Sequence, residues 1–179
     1  MSMLKPVFWI SLLTAAGVYL TMILWTLPAI NAAAGGLAPF DLRPLGYDFG
    51  DAQAFLRALP EQGRQLYLDV QQRLDTAYPA LLTLVLGLGI ALVSPPKFGN
   101  WKWPLALTSV PGSLFDYREN MLVRHILNSP PDALDPALVA AASRATVLKS
   151  VLTAVSMSVL LVLCILWVFG KWHGASNRT

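Results

Sequence analysis

Apolar residues fall in four long blocks along the 179-residue chain, set apart by shorter polar stretches. The first, Pro6 to Ile30, carries no charge. The second runs from Tyr78 to Val93 and is stopped by Ser94-Pro95-Pro96. The third begins at Trp103 and reaches about Leu122, with charges only in its last third. The fourth runs from about Thr146 to Phe169 with one charge, Lys149. A helix rises about 1.5 Å per residue, so roughly 20 apolar residues cross a hydrocarbon layer about 30 Å thick. Unpaired backbone groups are not tolerated in lipid, and no strand-like alternation is present, so each block is expected to be a helix. The pattern predicts an all-α, polytopic membrane protein. Its four transmembrane helices (about 6–30, 78–94, 103–122 and 146–169) form one bundle, and the whole chain, 1–179, is a single membrane domain.

Polar connections complete the plan. Gly35-Gly36 and Pro39 break the chain after the first block. Asp48 is placed to cap a helix bearing Phe49, Ala52, Phe55, Leu56 and Leu59 at helical spacing. Pro60 interrupts, and a second amphipathic stretch with Leu66, Tyr67, Val70 and Leu74 runs into the second span. The 31–77 segment is therefore an outer loop with amphipathic helices, lying over the mouth of the bundle or acting as a lid. Asp135 before Pro136 is a helix start, which extends the fourth helix beyond the membrane. The first block is longer than the roughly 7–15 apolar residues of a cleaved signal peptide, so a retained helix is expected despite Lys5 and the small-residue run 31–36. Thr14, Gly17 and Thr21 recur at a spacing suited to helix packing.

Composition agrees with this plan: 55% of residues are hydrophobic, 13% are charged, and mean hydropathy is +0.55. Soluble domains carry about a quarter charged residues, so a soluble enzyme, a disordered tail and a nucleic-acid-binding domain are excluded. The net charge of +3 follows from topology. With four spans, both termini and the 94–102 turn share a side that bears Lys5, Lys97, Lys102, Lys171 and Arg178 and no acid. The other side bears all ten acids. This is the positive-inside distribution, which puts both termini in the cytoplasm of a bacterial cell membrane, with Trp101, Trp103, Trp167 and Trp172 at the interface. Cys164 is the lone cysteine and is expected to be a buried packing residue. His125 and His173 fall on opposite sides, and no metal site or cofactor is predicted. Gly87-Leu88-Gly89 reads as a packing feature.

The informative residues are the polar ones inside the spans, where a charge costs roughly 2.5–3.5 kcal/mol on insertion scales. Asp116, Glu119 and Asn120 share one face of the third helix, which continues back through Ser113 and Ser109 and fades before Thr108. Pro111 lies in the same helix and frees the carbonyl of Leu107. The fourth helix answers with Thr146, Lys149, Ser150 and Thr153. The second brings Asp75, Pro79, Thr83 and Gly87. Under the four-span topology, Asp75, Asp116, Arg118, Glu119, Asn120 and Lys149 meet at one level on the outer-leaflet side. They form either a buried ion pair with interhelical hydrogen bonds or a functional site. Ser113, Tyr78 and Tyr117 are secondary candidates.

The run Asp116-Tyr117-Arg118-Glu119-Asn120 resembles the Asp-Tyr-x-Glu-Asn motif in the third span of a family of small bacterial four-span membrane proteins. The likeness extends to Leu45-Gly46-Tyr47, Gly63-Arg64-x-x-Tyr67, Asp75-x-x-Tyr78-Pro79 and Leu148-Lys149, and covers the chain from about Phe40 onward. Members usually carry an apolar residue where this chain has Arg118. The resemblance implies an architecture and a set of polar residues, and no activity.

Three functions are compatible with this reading. In the first, a binding or accessory protein holds a lipid, a lipophilic small molecule or a cation at the outer-leaflet cluster. In the second, an intramembrane enzyme acts on a lipid or isoprenoid with Asp116 or Glu119 as acid or base and Lys149 opposing developing negative charge. The third is a small oligomeric ion-coupled transporter. Expected partners are membrane lipids and a membrane-protein partner or a second copy, with no nucleic acid.

Overall fold

The computed structural model describes residues 3–176, with side chains through Gly170. The readings for Lys171, Trp172, His173, Arg178 and the C-terminal tail concern side chains or residues outside that description. Among the described residues there is no strand.

Three helices are long and apolar enough to cross a membrane: α1 (Leu4–Ala33), α3 (Glu61–Val93) and α6, whose apolar part is Pro136–Gly170. Between them lie α2 (Phe49–Ala58), the short α4 (Lys102–Ala106) and α5 (Val110–Leu127). α3 takes the amphipathic stretch after Pro60 and the second apolar block in one continuous run, and α6 begins at Pro136. There the amide of Ala137 donates to Asp135 Oδ1 at 2.8 Å. The α2 start also follows local rules: Asp51 N donates to Asp48 Oδ1 at 2.7 Å, and Asp48 N donates back to Asp51 Oδ2 at 3.2 Å, a capping box.

The third apolar block is not one uninterrupted helix. A 3-10 turn, Leu107–Ser109, separates α4 from α5, and Pro111 sits in the first turn of α5. Proline is well tolerated there because that amide has no helical partner. The carbonyl of Leu107, which Pro111 was expected to free, accepts from the amide of Val110 through the tighter turn.

Neighbouring helices run antiparallel, as their contacts show. From one end of α3 to the other, Gln71, Tyr78 and Gly89 meet Thr26, Tyr19 and Phe8 of α1. Likewise Gln72, Thr76 and Pro79 meet Asn120, Tyr117 and Ser113 of α5. Glu119, Asp116 and Gly112 of α5 meet Thr146, Lys149 and Thr153 of α6. α3 is thus the central helix, in contact with α1, α4, α5 and α6.

Burial is inverted relative to a soluble protein. The fully buried core lies where the polar connections gather, around Phe40, Phe55, Leu56, Tyr67, Ile126, Leu127 and Val139. Phe40 packs against Tyr47, Phe55 and Tyr67, with ring centroids 4.8, 5.1 and 6.4 Å away. Along α1 and α6 the apolar side chains point outward; Leu13 is 70% exposed and Leu161 61%. Such surfaces belong to helices long and apolar enough to cross a membrane. Cys164 is half-buried rather than buried; the neighbouring Leu163 fills the core position instead.

Close helix approach depends on glycine at Gly112, where an added Cβ would lie 2.7 Å from Thr153 Oγ1 and 3.2 Å from its backbone nitrogen. At Gly17 an added Cβ meets nothing within 4 Å. Gly112→Ala should therefore destabilise the protein by about 1–3 kcal/mol through overpacking, while Gly17→Ala should leave it unchanged or slightly firmer. Thermal unfolding of both variants in the same detergent checks this, and equal melting temperatures would contradict it.

Candidate functional site

Lys149 of α6 organises the polar cluster. Its Nζ is 3.2 Å from Asp116 Oδ1 and forms a second ion pair with Glu119 Oε2. Glu119 is almost wholly enclosed at 1% exposure, and its other oxygen accepts from Thr146 Oγ1 at 2.6 Å. A buried ammonium with two carboxylates and a hydroxyl donor satisfies the condition under which ions are tolerated in a low-dielectric interior.

The rest of the motif serves a different purpose. Pro79 lies inside α3 and has no N–H, so the carbonyl of Asp75, one turn earlier, loses its helical donor. Asn120 Nδ2 donates to that oxygen at 2.9 Å, and Tyr117 Oη donates to the adjacent Thr76 carbonyl at 3.1 Å. Ser113 Oγ donates to the Pro79 carbonyl at 2.9 Å and shares a short hydrogen bond with Thr83. Asp116 and Glu119 thus face α6, while Asn120 supplies the donor that Pro79 removes from α3 and Tyr117 adds a contact to the next carbonyl. Tyr78 stacks on Tyr19 of α1, centroids 5.7 Å apart.

Asp75 is buried and accepts from Gln71 Nε2 at 2.9 Å; Gln71 in turn accepts from Thr26. Both members of that last pair lie in π-helical turns, Met22–Thr26 in α1 and Leu66–Gln71 in α3, which face one another. Such turns are rare and are frequent at functional sites.

A cavity of about 560 Å³ opens beside this cluster. Asp41, Asp75, Asp116, Lys149, Ser150 and Thr153 line its polar part, and Tyr78 and Tyr19 a flank; Met22, Ile23, Leu27, Leu82, Ala154 and Met157 give apolar walls. Asp41 and Leu42 come from the 3-10 turn Phe40–Leu42 and form its roof. Tyr67 Oη holds Asp41 Oδ2 at 2.5 Å. The following turn is fixed by Gly46, with φ of 91° and an added Cβ only 2.7 Å from Ser143 Oγ; that hydroxyl accepts from Tyr47 N at 3.0 Å. Burial, reinforced by the nearby Glu119 charge, pushes the Tyr47 hydroxyl well above its ordinary value, so it stays a neutral phenol.

Asp75, Asp116 and Lys149 therefore reach one cavity, with Tyr78 beside them, while Glu119 and Asn120 stand behind its wall. Arg118 does not join them: it is exposed and makes no ion pair among the described residues. It lies one residue off the acidic face, too far round the helix to turn inward. The hydroxyl stripe also runs deeper than Ser109, since Ser156 Oγ donates to the Thr108 carbonyl at 2.6 Å. Beyond it Ile90, Ala106 and Leu163 close the interior with buried apolar side chains.

Sequence reasoning missed Asp41, Gln71 and Thr26. Thr26 and Gln71 had a signal, as polar residues beside apolar blocks. Asp41 had none, because its position depends on the Gly46 turn and on Phe40 seating in a distant core. No group of three or more His, Cys, Asp or Glu among the described residues is arranged to hold a metal ion. No family model, curated protein or solved structure matches the chain.

Replacing Lys149 by Met leaves two carboxylates facing each other without a cation, a loss expected to reach about 3–5 kcal/mol. Adding Glu119→Gln to Lys149→Met removes the more deeply buried of the two orphaned charges and should recover part of that loss. Unfolding midpoints of the single and double variants test the coupling; additive losses would contradict it.

Proposed function

We propose that the chain is a multi-pass protein of the bacterial cytoplasmic membrane that binds an amphiphilic molecule at the outer-leaflet level. In this reading the fourth span is the α4–α5 run. Both termini are cytoplasmic, and the family suggested by the Asp-Tyr-x-Glu-Asn motif shares the architecture. Antiparallel contacts between successive long helical runs support the four-span topology. Lys97 and Lys102, with exposed Trp101 and Trp103, support the orientation.

The observation that carries the function is the division of the cavity. Asp75, Asp116 and Lys149 line the part beneath the Phe40–Leu42 roof, Leu82, Ala154 and Met157 line the part farther along the helices, and Met22, Ile23 and Leu27 of α1 give an apolar side wall. A lipid-like molecule with a polar head and an apolar tail is complementary to both ends at once. Asp116 and Asp75 would accept hydrogen bonds from the head, Lys149 would hold its partner carboxylates in place, and Leu82, Ala154 and Met157 would flank the tail. The apolar closure at Ile90, Ala106 and Leu163 supports a site with one entrance over a route through the membrane.

Purification in mild detergent followed by mass spectrometry of co-purifying small molecules tests this. Wild type should carry a specific amphiphile that Asp116→Asn and Lys149→Met, eluting as folded protein, lack. If all three carry only bulk lipid, the cluster is structural and the binding reading fails.

A further inference from the structure

We infer that the amphiphile bears a primary ammonium head and enters sideways from the outer leaflet through a gap between α1 and α6. The inference rests on the amphiphile reading above and narrows it to a headgroup class and a route.

Charge is the first argument. Asp41, Asp75 and Asp116 line the cavity and Glu119 stands behind it, while Lys149 is the only cationic side chain among the described residues of the lining. Lys149 is already engaged by Asp116 and Glu119. Asp75 is only 6% exposed, and among the described residues no Lys, Arg or His lies within ion-pair distance of it. Arg43, two residues beyond the roof's Asp41, is engaged by Asp51 and the Ala38 carbonyl. A carboxylate enclosed with only an amide donor is costly unless a cation or a proton reaches it. The carboxylates are not grouped to share a metal ion. They surround a space instead, which suits an organic cation with several N–H donors, each directed at a separate acceptor.

Geometry is the second argument. α1 and α6 each pack on α3, and they converge at Gly89, where an added Cβ would meet both Phe8 of α1 and Leu160 of α6 within 3.4 Å. Toward the polar end they part, and the cavity occupies the space between them. Its rim is open: Tyr19 of α1, Met157 of α6 and Leu42 of the roof are 45%, 46% and 47% exposed. On α1 the apolar residues next to rim and wall positions, Leu20 beside Tyr19 and Leu24 beside Ile23, are exposed as well. A tail can pass between such walls without leaving an apolar medium, whereas a soluble amine would have to cross it.

The test uses the full chain, stripped of lipid in a nonionic detergent and titrated with dioctanoyl phosphatidylethanolamine, dioctanoyl phosphatidylglycerol and free ethanolamine, with calorimetric readout. The ethanolamine lipid should bind at least about tenfold more tightly than the glycerol lipid, and free ethanolamine weakest. Asp75→Asn should erase the preference. Asp41→Asn, in the roof rather than in a long helix, provides the same readout should Asp75→Asn fail to fold. Equal or tighter binding of the glycerol lipid overturns the ammonium assignment and leaves amphiphile binding standing. An unchanged preference in both folded variants also overturns it. Free ethanolamine binding as tightly as its lipid overturns lateral entry. No binding of either lipid overturns this inference and the amphiphile reading together.

Discussion

A single buried amine constrains the arrangement of the long helices. Lys149 sits well inside a 41-residue helix, and its charge can be accommodated only if acceptors on another element are brought to the same height. α5 supplies them at Asp116 and Glu119, one turn apart, and Thr146 supports Glu119 from Lys149's own helix. Sliding α6 by one turn past α5 would strand both carboxylates. The ion cluster therefore acts as a register pin between helices whose other contacts, mostly apolar or involving single hydroxyls, discriminate less between registers.

That pin is linked to a backbone defect. Pro79 deprives α3 of a hydrogen bond, and the same α5 surface that holds Lys149 on one side supplies Asn120 to the freed Asp75 carbonyl and Tyr117 to the Thr76 carbonyl on the other. The motif is thus bifunctional: alternate members address charge on α6 and backbone on α3. The spacing is dictated by helix geometry, since positions 116 and 119 face one neighbour while 117 and 120 reach toward the other. Three helices are tied by five consecutive residues, with the exposed Arg118 the one member that takes no part.

Much of this was legible in the sequence because its causes are local or periodic. The apolar blocks, the Asp48 and Asp135 helix starts and the stop at Ser94-Pro95-Pro96 follow from spacing and cap chemistry. The meeting of Asp116 with Lys149 followed from counting depth along antiparallel helices. What escaped depends on non-local packing. The cavity roof is set by Gly46 pressed against Ser143 and by Phe40 among distant aromatics, and no window around Asp41 encodes that. Pro111 looked like a kink within a span; the chain instead closes one short helix with a 3-10 turn and starts another, so the proline falls where its missing amide costs least. The two π-helical turns were invisible to a search for period 3.6, which is what they interrupt.

Those turns, Met22–Thr26 and Leu66–Gln71, can be regarded as one extra residue accommodated in each of two adjoining helices. An extra residue rotates everything beyond it by about 100° about the helix axis, because about 3.6 residues complete a turn. The chain thereby presents one face of α1 and α3 to its neighbours in the lower part and a different one beneath the roof, where Thr26 and Gln71 turn toward each other. In terms of descent, single-codon deletions in these two segments belong to a different class from those in the connecting loops. Either one alone would unwind the agreement between the two helices, and only a matched pair could restore a common face. Length variation among descendants of this chain should accordingly collect between the helices and avoid these two short stretches.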